Sequence, residues 1–394
     1  MLSTAKICKN IRRRIYLCCT LYSCVLRMIN STDIINYKKH GFDGAKYIRL
    51  QKEQILDRIA NFSGGRLYLE IGGKFMYDTH ASRVLPWFDP ESKKKIFESL
   101  KSQAEILFCV NATDILSNRQ LSNQNVSYKD YVYQLIRNIE KNIWIKPHIV
   151  INNIDVGNMF DVILEFEKDF QRKQYRVRER YKITWYPHNM DTILSEDGFG
   201  NDDHIPLTKN LVLVTGAASS SGKMSTCLGQ IYLDHGIDIK SWYAKYETFP
   251  VRNIALEHPI NLAYEAATVD IGDYNMMDEY HKKAYGQDSV NYNRDVEAFE
   301  IVMSIAKKIV NHKNYMVKYQ SPTDMWISCA GMAITDDAVV SLASLHEIER
   351  RKVWYQEMVD RKEGKQEWTE KCDELYTKAK KYCDDKKYDV DMKL

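Results

Sequence analysis

The arrangement of apolar residues limits the folds open to this chain more than any other feature. Short runs that are apolar almost throughout alternate with longer segments whose apolar residues recur every three to four positions. Runs of the first kind are typical of parallel strands buried on both faces, and segments of the second kind are typical of helices that cover a sheet. We therefore predict an α/β fold with a largely parallel sheet and helices on both faces.

Up to residue 255, six strands and five helices follow from this pattern, and a further long helix is predicted over residues 292–310. The strands are predicted over residues 65–73, 105–112, 148–154, 181–187, 210–215 and 241–248. The helices are predicted over residues 43–61, 91–103, 128–142, 158–171 and 222–235. Asp89 is the predicted cap of the second helix and Pro90 its first position, because proline suits the first helical turn.

The pattern changes along the chain and indicates four regions. Residues 41–255 are predicted to form an α/β domain, and residues 256–335 a mostly helical or α+β subdomain. Residues 336–394 are charged and helix-favouring, and we predict a helical C-terminal arm there, as a hairpin or an exposed helix. Residues 1–40 are predicted to be a poorly ordered basic extension.

The net charge of +3 does not describe the body of the chain. Residues 1–32 carry six basic side chains and no acidic one, which leaves 50 basic against 53 acidic residues elsewhere. A body with this balance lacks the overall basic character of nucleic-acid-binding proteins. We therefore expect a small-molecule partner and no nucleic acid, and a homo-oligomer stays open.

The N-terminal segment resembles a signal peptide in outline, with a basic start and a moderately apolar run over residues 15–26. The run is shorter than the about 20 residues that span a bilayer, and no clear cleavage site follows it. We expect no stable membrane insertion and a cytoplasmic protein, with import into an organelle through residues 1–40 as the alternative. The nine cysteines include no CxxC pair, and we expect them to be reduced.

The segment LVLVTGAASSSGKMSTCLGQ, which begins at Leu211, has the outline of a phosphate-binding loop. A strand leads into small residues, a Gly–Lys pair and a helix. In such loops backbone N–H groups hold the anion, a lysine contacts the terminal phosphates, and a hydroxyl holds Mg²⁺. We predict a nucleotide with Mg²⁺ as the cofactor. The predicted cofactor-binding residues are Gly216, Ser221, Gly222, Lys223, Met224, Ser225 and Thr226.

The spacing departs from the common GxxxxGK[ST] pattern. That pattern requires glycine and a hydroxyl residue where this chain has Ala217 and Met224. Gly216 lies one residue early and Ser225 one residue late. From the residues alone, the segment is either a phosphate site or an ordinary strand-to-helix turn with Lys223 in solvent.

Several long segments resemble a mainly bacterial family catalogued as uncharacterised protein family 0371. They include LYLEIGGKFMYDTHASRVLPWFDPESK, SGKMSTCLGQIYLDHG, YAKYETFPVRNIALEHPINLAYEAATVDIGDYN and SPTDMWISCAGMAI. The resemblance covers about residues 41–350. It implies a multi-domain α/β protein with a helical portion, and it implies no particular activity.

Two departures from the family pattern affect the loop and the chain length. Relatives usually carry a Gly-Pro-Gly-Ser-Gly-Lys loop, in which Ala218 and Ser220 replace glycines here. If these positions need a positive φ, each non-glycine residue costs on the order of 1 kcal/mol. Relatives also continue into a further C-terminal α/β portion, which we expect this chain to lack.

Further polar residues follow predicted strands, at the end where open α/β sheets bind ligands. Lys74, Asp78, His80 and Arg83 follow the strand over residues 65–73 and could form an anion or acid–base cluster, or only a structural loop. Glu247 ends the strand over residues 241–248 and is predicted, with Ser225, to contact Mg²⁺.

Other acidic and basic residues fit ordinary structural roles better. Asp270, Asp273 and Asp324 lie in turn-like segments, and Arg294 is followed by Asp295 at a predicted helix start, where the two could pair. HExxH and GxSxG motifs are absent from the sequence, so a zinc protease or a serine hydrolase of those types is not indicated.

Together these features predict a nucleotide- or phosphometabolite-binding protein, with phosphoryl or nucleotidyl transfer as its candidate activity. The predicted catalytic residues are Lys223, Glu247, His80 and Arg83, and the predicted metal ligands are Ser225 and Glu247. The alternative is a non-catalytic binding or assembly module with a degenerate phosphate loop. Whether Lys223, Glu247 and residues 74–83 share one cleft distinguishes these hypotheses.

Overall fold

The structure is a computed structural model, and it describes most of the chain beyond residue 34. The described residues are 35, 37–61, 64–117, 120–121, 126–155, 157, 160–218, 220–310 and 314–394. The basic extension predicted over residues 1–40 falls mostly outside the described residues, and so does Ser219 of the loop.

The strands and helices follow each other in the alternating order that the sequence predicts. The strands are β1 (Arg66–Ile71), β2 (Ala104–Asn111), β3 (Gln120–Leu121), β4 (Val126–Ser127), β5 (His148–Ile154), β6 (Val177–Tyr181), β7 (Leu211–Gly216), β8 (Ser241–Tyr246), β9 (Asn275–Met277), β10 (Val290–Tyr292) and β11 (Trp326–Ile327). The helices are α1 (Gly44–Ala60), α2 (Thr79–Val84), α3 (Ser92–Leu100), α4 (Ala112–Leu116), α5 (Tyr128–Ile143), α6 (Phe160–Arg172), α7 (Met190–Ile193), α8 (Lys223–Gly236), α9 (Pro259–Thr268), α10 (Glu279–Tyr285), α11 (Asn293–Ile309), α12 (Pro322–Met325), α13 (Asp337–Asp360) and α14 (Gln366–Asp385).

The main sheet confirms the predicted α/β fold. Its seven strands lie in the order β11-β8-β1-β7-β2-β5-β6, and every neighbouring pair is parallel. The central strands are buried along their whole length, because helices cover both faces. β11 belongs to the segment 256–335 in sequence and yet forms one edge of this sheet. The predicted division at residue 255 stays a prediction.

Side chains of β8 and β1 that point to opposite faces of the sheet show which helices cover each face. Tyr246 contacts Tyr47 of α1 through their hydroxyl groups, 3.0 Å apart, and Phe97 of α3 through its ring. The side chains of β1 that point the other way reach α8, where Arg66 and Tyr68 both bind Asp234. α1 and α3 therefore cover one face, and α8 covers the other together with α11.

One predicted strand was wrong in position. Of the strand predicted over residues 181–187, only Tyr181 is extended, as the last residue of β6, and Trp185 has a left-handed φ of 62° that no strand tolerates. The helix predicted from Glu91 begins one residue later, at Ser92. The predicted cap residue Asp89 accepts from the Glu91 N–H through its carboxyl over 2.9 Å and from the Ser92 N–H through its carbonyl over 2.9 Å.

The C-terminal region is a helical hairpin that packs against the rest of the protein. α13 and α14 contact each other and α9, and α13 also contacts α2. Tyr355, Cys372 and Leu375 are buried in this packing. Of the two predicted forms of the arm, the hairpin is the one observed, and it places α13 beside the residues that follow β1.

The cysteines and the helices of the described ranges bear on disulfide bonds and on membrane insertion. The five cysteines in the described ranges are all buried and form no disulfide. Among the helices that the structure describes, none combines the length and apolar character that crossing a bilayer requires.

Candidate functional site

The carboxyl ends of β1 and β7 form a topological switch point in the sheet. After β1 the chain passes to α3 on one face, and after β7 it passes to α8 on the other. Because neighbouring strands send their loops in opposite directions, a crevice opens between the two loops, and open α/β sheets bind ligands at such crevices. The crevice lies between the loop at residues 72–74 and the loop at residues 216–223.

Strand register places Glu247 at the same level as the start of the phosphate-loop-like segment. Glu70 of β1 pairs with Val214 of β7 and with Lys245 of β8. Two residues later, Gly216 and Glu247 therefore reach the same edge on either side of Gly72. Two strand spacings separate the backbones of β7 and β8, about 10 Å.

Two asparagines support the loop after β7 from the neighbouring strands. Asn111 of β2 donates to the carbonyl of Ser220 over 3.1 Å, and Asn152 of β5 donates to the carbonyl of Ser221 over 2.9 Å. In a trans peptide the C=O and the following N–H point in opposite directions. The N–H groups of Ser221 and Gly222 therefore point away from the asparagines, toward the crevice.

The helix that follows the loop begins without a side-chain cap. Gly222 occupies the cap position of α8 with a left-handed φ of 85°, and no side chain accepts from the first turn. The half-buried side chain of Lys223 makes no hydrogen bond or ion pair within the part of the chain that the structure describes. Uncapped N–H groups, the positive end of a helix and an unpaired ammonium together favour an anion.

Glycine is needed at two loop positions for different reasons. A Cβ on Gly216 would lie 2.1 Å from Ser221 Oγ, and a Cβ on Gly222 would lie 2.8 Å from Asn152 Cγ. Ser221 is 1% exposed, and its hydroxyl has no hydrogen-bond partner among the described residues. The loop is therefore closely packed around the hydroxyl of Ser221.

One loop substitution is expected to stabilise the protein. Ser220 has a left-handed φ of 64°, whereas Ala218 does not occupy that region. Ser220→Gly should raise the free energy of unfolding by about 0.5–1 kcal/mol, because glycine relieves the left-handed strain. Ala218→Gly should lower it by a similar amount, since glycine there only adds freedom to the unfolded chain. Urea denaturation of both variants checks this, and equal effects at the two positions would contradict it.

Arg180 of β6 occupies the space beneath the first turn of α8. Its guanidinium pairs with Asp202 at 2.7 Å and donates to Asn152 Oδ1, at 2.9 Å. The same group donates to the hydroxyls of Ser225, at 3.3 Å, and Thr226, at 3.2 Å. Because these hydroxyls accept from a cation, their surroundings do not fit a Mg²⁺ ion.

Glu247 lies buried in the crevice wall, above Gly72. A Cβ on Gly72 would lie 2.0 Å from Glu247 Oε2, so only glycine leaves room for this carboxyl. Tyr292 donates to Glu247 Oε1 over 3.1 Å, and Lys245 Nζ lies 3.5 Å from the same oxygen. Burial raises the pKa of Glu247 to about 7, although the charge of Lys245 opposes the shift. Its carboxyl is therefore a proton acceptor or donor near neutral pH.

Lys245 is the centre of the buried polar cluster that holds Glu247. Its ammonium lies 2.8 Å from Asp295 Oδ1 and also contacts the Tyr292 hydroxyl. Trp326 donates through Nε1 to Asp295 Oδ2 over 2.8 Å. Glu247 thus has a fixed position at the end of a network that reaches the edge strand β11.

Most of the residues predicted as a cluster after β1 form hydrogen bonds or ion pairs with other side chains and with the backbone. Asp78 caps α2 by accepting from the Ala81 N–H over 3.1 Å, and it lies 3.4 Å from Lys93 Nζ. His80 Nδ1 lies 3.3 Å from Glu347 Oε1, and Arg83 donates to Glu347 Oε2 over 2.8 Å. These contacts support a structural role for His80 and Arg83, and their catalytic role stays a prediction.

Glu347 of α13 is the acceptor of four basic side chains. Besides His80 and Arg83, Arg350 donates to it over 2.6 and 2.8 Å, and Arg351 donates over 3.1 Å. Lys74 takes no part in these bonds to Glu347. Burial lowers the pKa of Lys74, and so do the neighbouring arginines, Arg351 foremost. The basic side of this cluster faces the loop that follows β1.

The remaining acidic and basic candidates form ion pairs, helix caps and hydrogen bonds, as their sequence context favours. One of them, Arg294, has a different ion-pair partner from the one predicted. Arg294 pairs with Asp273 at 2.6 Å, whereas its sequence neighbour Asp295 pairs with Lys245. Asp324 completes a capping box with Ser321 at the start of α12. A further acid, Asp270, accepts from the Tyr355 hydroxyl over 3.0 Å.

The crevice therefore brings together only some of the predicted residues. Lys223 and the loop lie on one side of Gly72, and the carboxyl of Glu247 lies over Gly72 itself, but no contact joins Lys223 to Glu247 in the described ranges. No group of three or more His, Cys, Asp or Glu side chains in those ranges is arranged to hold a metal ion. Five residues of the site and its surroundings were not predicted from the sequence: Asn111, Asn152, Arg180, Lys245 and Glu347.

Comparisons with known proteins identify relatives without an assigned activity. The family model described as "Domain of unknown function DUF1846, N-terminal" matches residues 40–380. The chain is 42% identical over 311 residues to a UPF0371 protein of Corynebacterium diphtheriae, which covers 79% of this chain and 61% of that protein. It is 40% identical over 328 residues to a UPF0371 protein of Streptococcus pneumoniae, covering 83% of this chain and 64% of that protein. The chain thus spans less than two thirds of the length of these relatives.

Proposed function

The chain belongs to the UPF0371 family, whose N-terminal domain of unknown function it carries, and on that premise we propose that it binds a phosphate-containing small molecule in the crevice. A nucleotide or a phosphorylated metabolite is the ligand class. The phosphate would accept from the N–H groups of Ser221 and Gly222 and pair with Lys223. Because the family is uncharacterised, the proposal depends on the geometry of the site.

One observation carries the proposal, namely the direction of the loop's peptide groups. Asn111 and Asn152 hold the carbonyls of Ser220 and Ser221 away from the crevice, so the following N–H groups point into it. Consecutive N–H groups that point the same way form an anion-binding concavity, and the uncapped end of α8 adds partial positive charge. A turn that merely joined a strand to a helix would need no such support from two other strands.

We further propose that Glu247 exchanges a proton with the bound molecule, which favours an enzyme over a binding module. Its carboxyl extends over Gly72 and so lies about one strand spacing closer to the loop than its own backbone does. A carboxyl with a pKa of about 7 suits acid–base catalysis of phosphoryl transfer. Any Mg²⁺ would come with the nucleotide, because the protein residues near Ser225 do not favour a cation.

Calorimetric titration of the protein tests this proposal. Mg·ATP, Mg·GTP and a panel of sugar phosphates are added to the unmodified protein and to Lys223→Ala. We expect one of these to bind, and Lys223→Ala to weaken that binding about tenfold or more, as loss of a charge-assisted contact does. Lys240→Ala, which removes an exposed lysine near the amino end of β8, is the control and should bind normally.

Two results would overturn the proposal. The first is that none of these ligands binds to the unmodified protein. The second is that Lys223→Ala binds its ligand as tightly as Lys240→Ala does. Turnover of the bound ligand that is lost in Glu247→Gln, while binding is kept, would establish the enzymatic part, and binding without any turnover would favour the non-catalytic module.

A further inference from the structure

A second cavity lies outside the crevice, along the edge strand β11. It has a volume of about 410 Å³, which is within the usual range for small-molecule sites. Residues from α1, from the segment after β8 and from α12 line it. β11 is the third strand from β7 in the sheet order, so the cavity is separate from the loop at residues 216–223.

Three cationic side chains line this cavity without forming an ion pair among the described residues. They are Arg58, Arg252 and Lys318. Arg58 donates only to neutral acceptors, the Tyr319 hydroxyl at 2.9 Å and the Asp324 carbonyl at 3.0 Å. The half-buried side chain of Arg252 makes no hydrogen bond within the described ranges. Arg252 is close enough to Arg58 for the two positive charges to repel each other.

Two acidic residues, Asp57 and Asp324, line the cavity beside the three cations, and Asp324 is close enough to Arg252 for their charges to attract each other. The Asp324 carboxylate accepts from the N–H groups of Gln320, at 2.8 Å, and Ser321, at 3.1 Å, and from the Tyr285 hydroxyl, at 2.9 Å. These bonds hold it at the start of α12, and two carboxylates balance only part of the charge of three cations. Asp57 is exposed at the rim. The interior thus presents excess positive charge that a bound anion would relieve.

Aromatic rings form much of the remaining wall. Tyr285, Tyr315, Tyr319 and Trp326 all line the cavity. The guanidinium of Arg58 lies 5.5 Å from the centre of the Tyr315 ring and 5.7 Å from that of Tyr319. The remaining lining residues are polar or charged, so the aromatic rings are the part of the wall against which the ring of an organic ligand could pack.

We propose that this cavity binds a small molecule that carries both a phosphate group and a planar ring. Arg252 and Arg58 would hold the phosphate, because two guanidinium groups and the Lys318 ammonium suit a dianion. The ring would lie against the tyrosines. This site is additional to the crevice, and the proposal does not depend on the function proposed for the crevice.

The test uses phenyl phosphate, benzoate, inorganic phosphate and phenol in calorimetric titrations of the full chain. We expect phenyl phosphate to bind more tightly than inorganic phosphate or benzoate, and phenol to give no binding. Arg252→Gln should weaken phenyl phosphate binding about tenfold or more, and Arg252→Lys should keep part of it. Lys240→Ala, at an exposed position outside both sites, should bind phenyl phosphate as the unmodified protein does. Each titration is repeated in the Lys223→Ala background, so that phosphate bound at the crevice does not mask a change at this site.

Several outcomes would overturn the proposal. They are no binding of phenyl phosphate to the unmodified protein, normal binding to Arg252→Gln in the Lys223→Ala background, and the same loss of binding in Lys240→Ala as in Arg252→Gln. Benzoate binding as tightly as phenyl phosphate would overturn the choice of phosphate. If Arg252→Gln does not fold, Lys318→Gln replaces it, because Lys318 is exposed and its loss should also weaken binding. Normal binding to that variant would then count against the site.

Discussion

Glu347→Gln is expected to lower the free energy of unfolding by about 3–5 kcal/mol, the usual cost of removing one partner from a buried ion pair. Glu347 is 2% exposed and accepts from Arg83, Arg350 and Arg351. Glutamine keeps the shape of the side chain but removes its charge. Arg350 and Arg351 would then lose the carboxylate that accepts from both of them.

Glu349→Gln provides the control for this change. Glu349 is exposed on the same helix, two residues away, so its loss should alter stability by less than about 0.5 kcal/mol.

The effect of Glu347→Gln should also depend on pH. Burial alone would raise the pKa of Glu347, but hydrogen bonds from Arg350 and His80 hold that pKa well below its usual range. A carboxylate with a depressed pKa stabilises the fold above its unfolded pKa, so the difference between Glu347→Gln and the unmodified protein should persist at neutral pH and shrink only in acid. Urea denaturation at pH 7 measures it, and equal stabilities of the two variants would contradict this account of the cluster.

Between pH 5 and pH 8, Glu247→Gln is expected to gain about 2.5 kcal/mol of stability relative to the unmodified protein, at about 1.4 kcal/mol for each unit of pKa shift. Burial raises the pKa of Glu247 from 4.5 to about 7. A raised carboxyl pKa means that the folded protein prefers the protonated form. Stability is therefore fully present below the unfolded pKa and is lost as the pH rises from about 4.5 through about 7. Glutamine mimics the protonated form and removes that loss.

The measurement is urea denaturation of the unmodified protein and the variant at both pH values. Taking the difference between the two proteins cancels the contributions of titrating groups that do not interact with Glu247. Glu257→Gln, at an exposed position in the segment after β8, serves as the control and should show no pH-dependent difference. The same pH-dependent difference in both variants would contradict a raised pKa at Glu247.

Much of the fold was predictable because its strands are buried on both faces. β1, β2, β5, β7 and β8 lie within a residue or two of their predicted positions, since unbroken apolar runs have few other uses. β11 was missed because two residues give no periodic signal, and its place at the sheet edge depends on contacts between Trp326 and β8. The strand predicted over residues 181–187 was wrong because aromatic and β-branched residues there favour a strand, whereas the observed chain turns.

The candidate site was only partly predictable. The position of the loop and of Glu247 follows from strand ends, which sequence patterns show well. The support from Asn111 and Asn152 could have been suspected, because each lies near the end of a predicted strand. The contacts of Glu347 could not have been predicted, because His80 and Glu347 are 267 positions apart in the sequence and no local pattern connects them.

The central claim is that the N–H groups of Ser221 and Gly222 bind phosphate, and selective isotope labelling tests it most directly. The sequence contains two Ser–Gly pairs, which end at Gly64 and Gly222. Protein with ¹³C-carbonyl serine and ¹⁵N-glycine therefore gives two peaks in a carbonyl-correlated spectrum. Gly64 lies outside the crevice, in the turn before β1, and serves as the internal reference.

We predict that added ATP or inorganic phosphate shifts the Gly222 amide proton downfield, because a hydrogen bond to phosphate forms there, and leaves the Gly64 peak in place. Lys223→Ala should abolish or greatly reduce the shift at the same ligand concentration. A Gly222 peak that stays unchanged while calorimetry shows the ligand to be bound would contradict the claim, since the phosphate would then lie elsewhere.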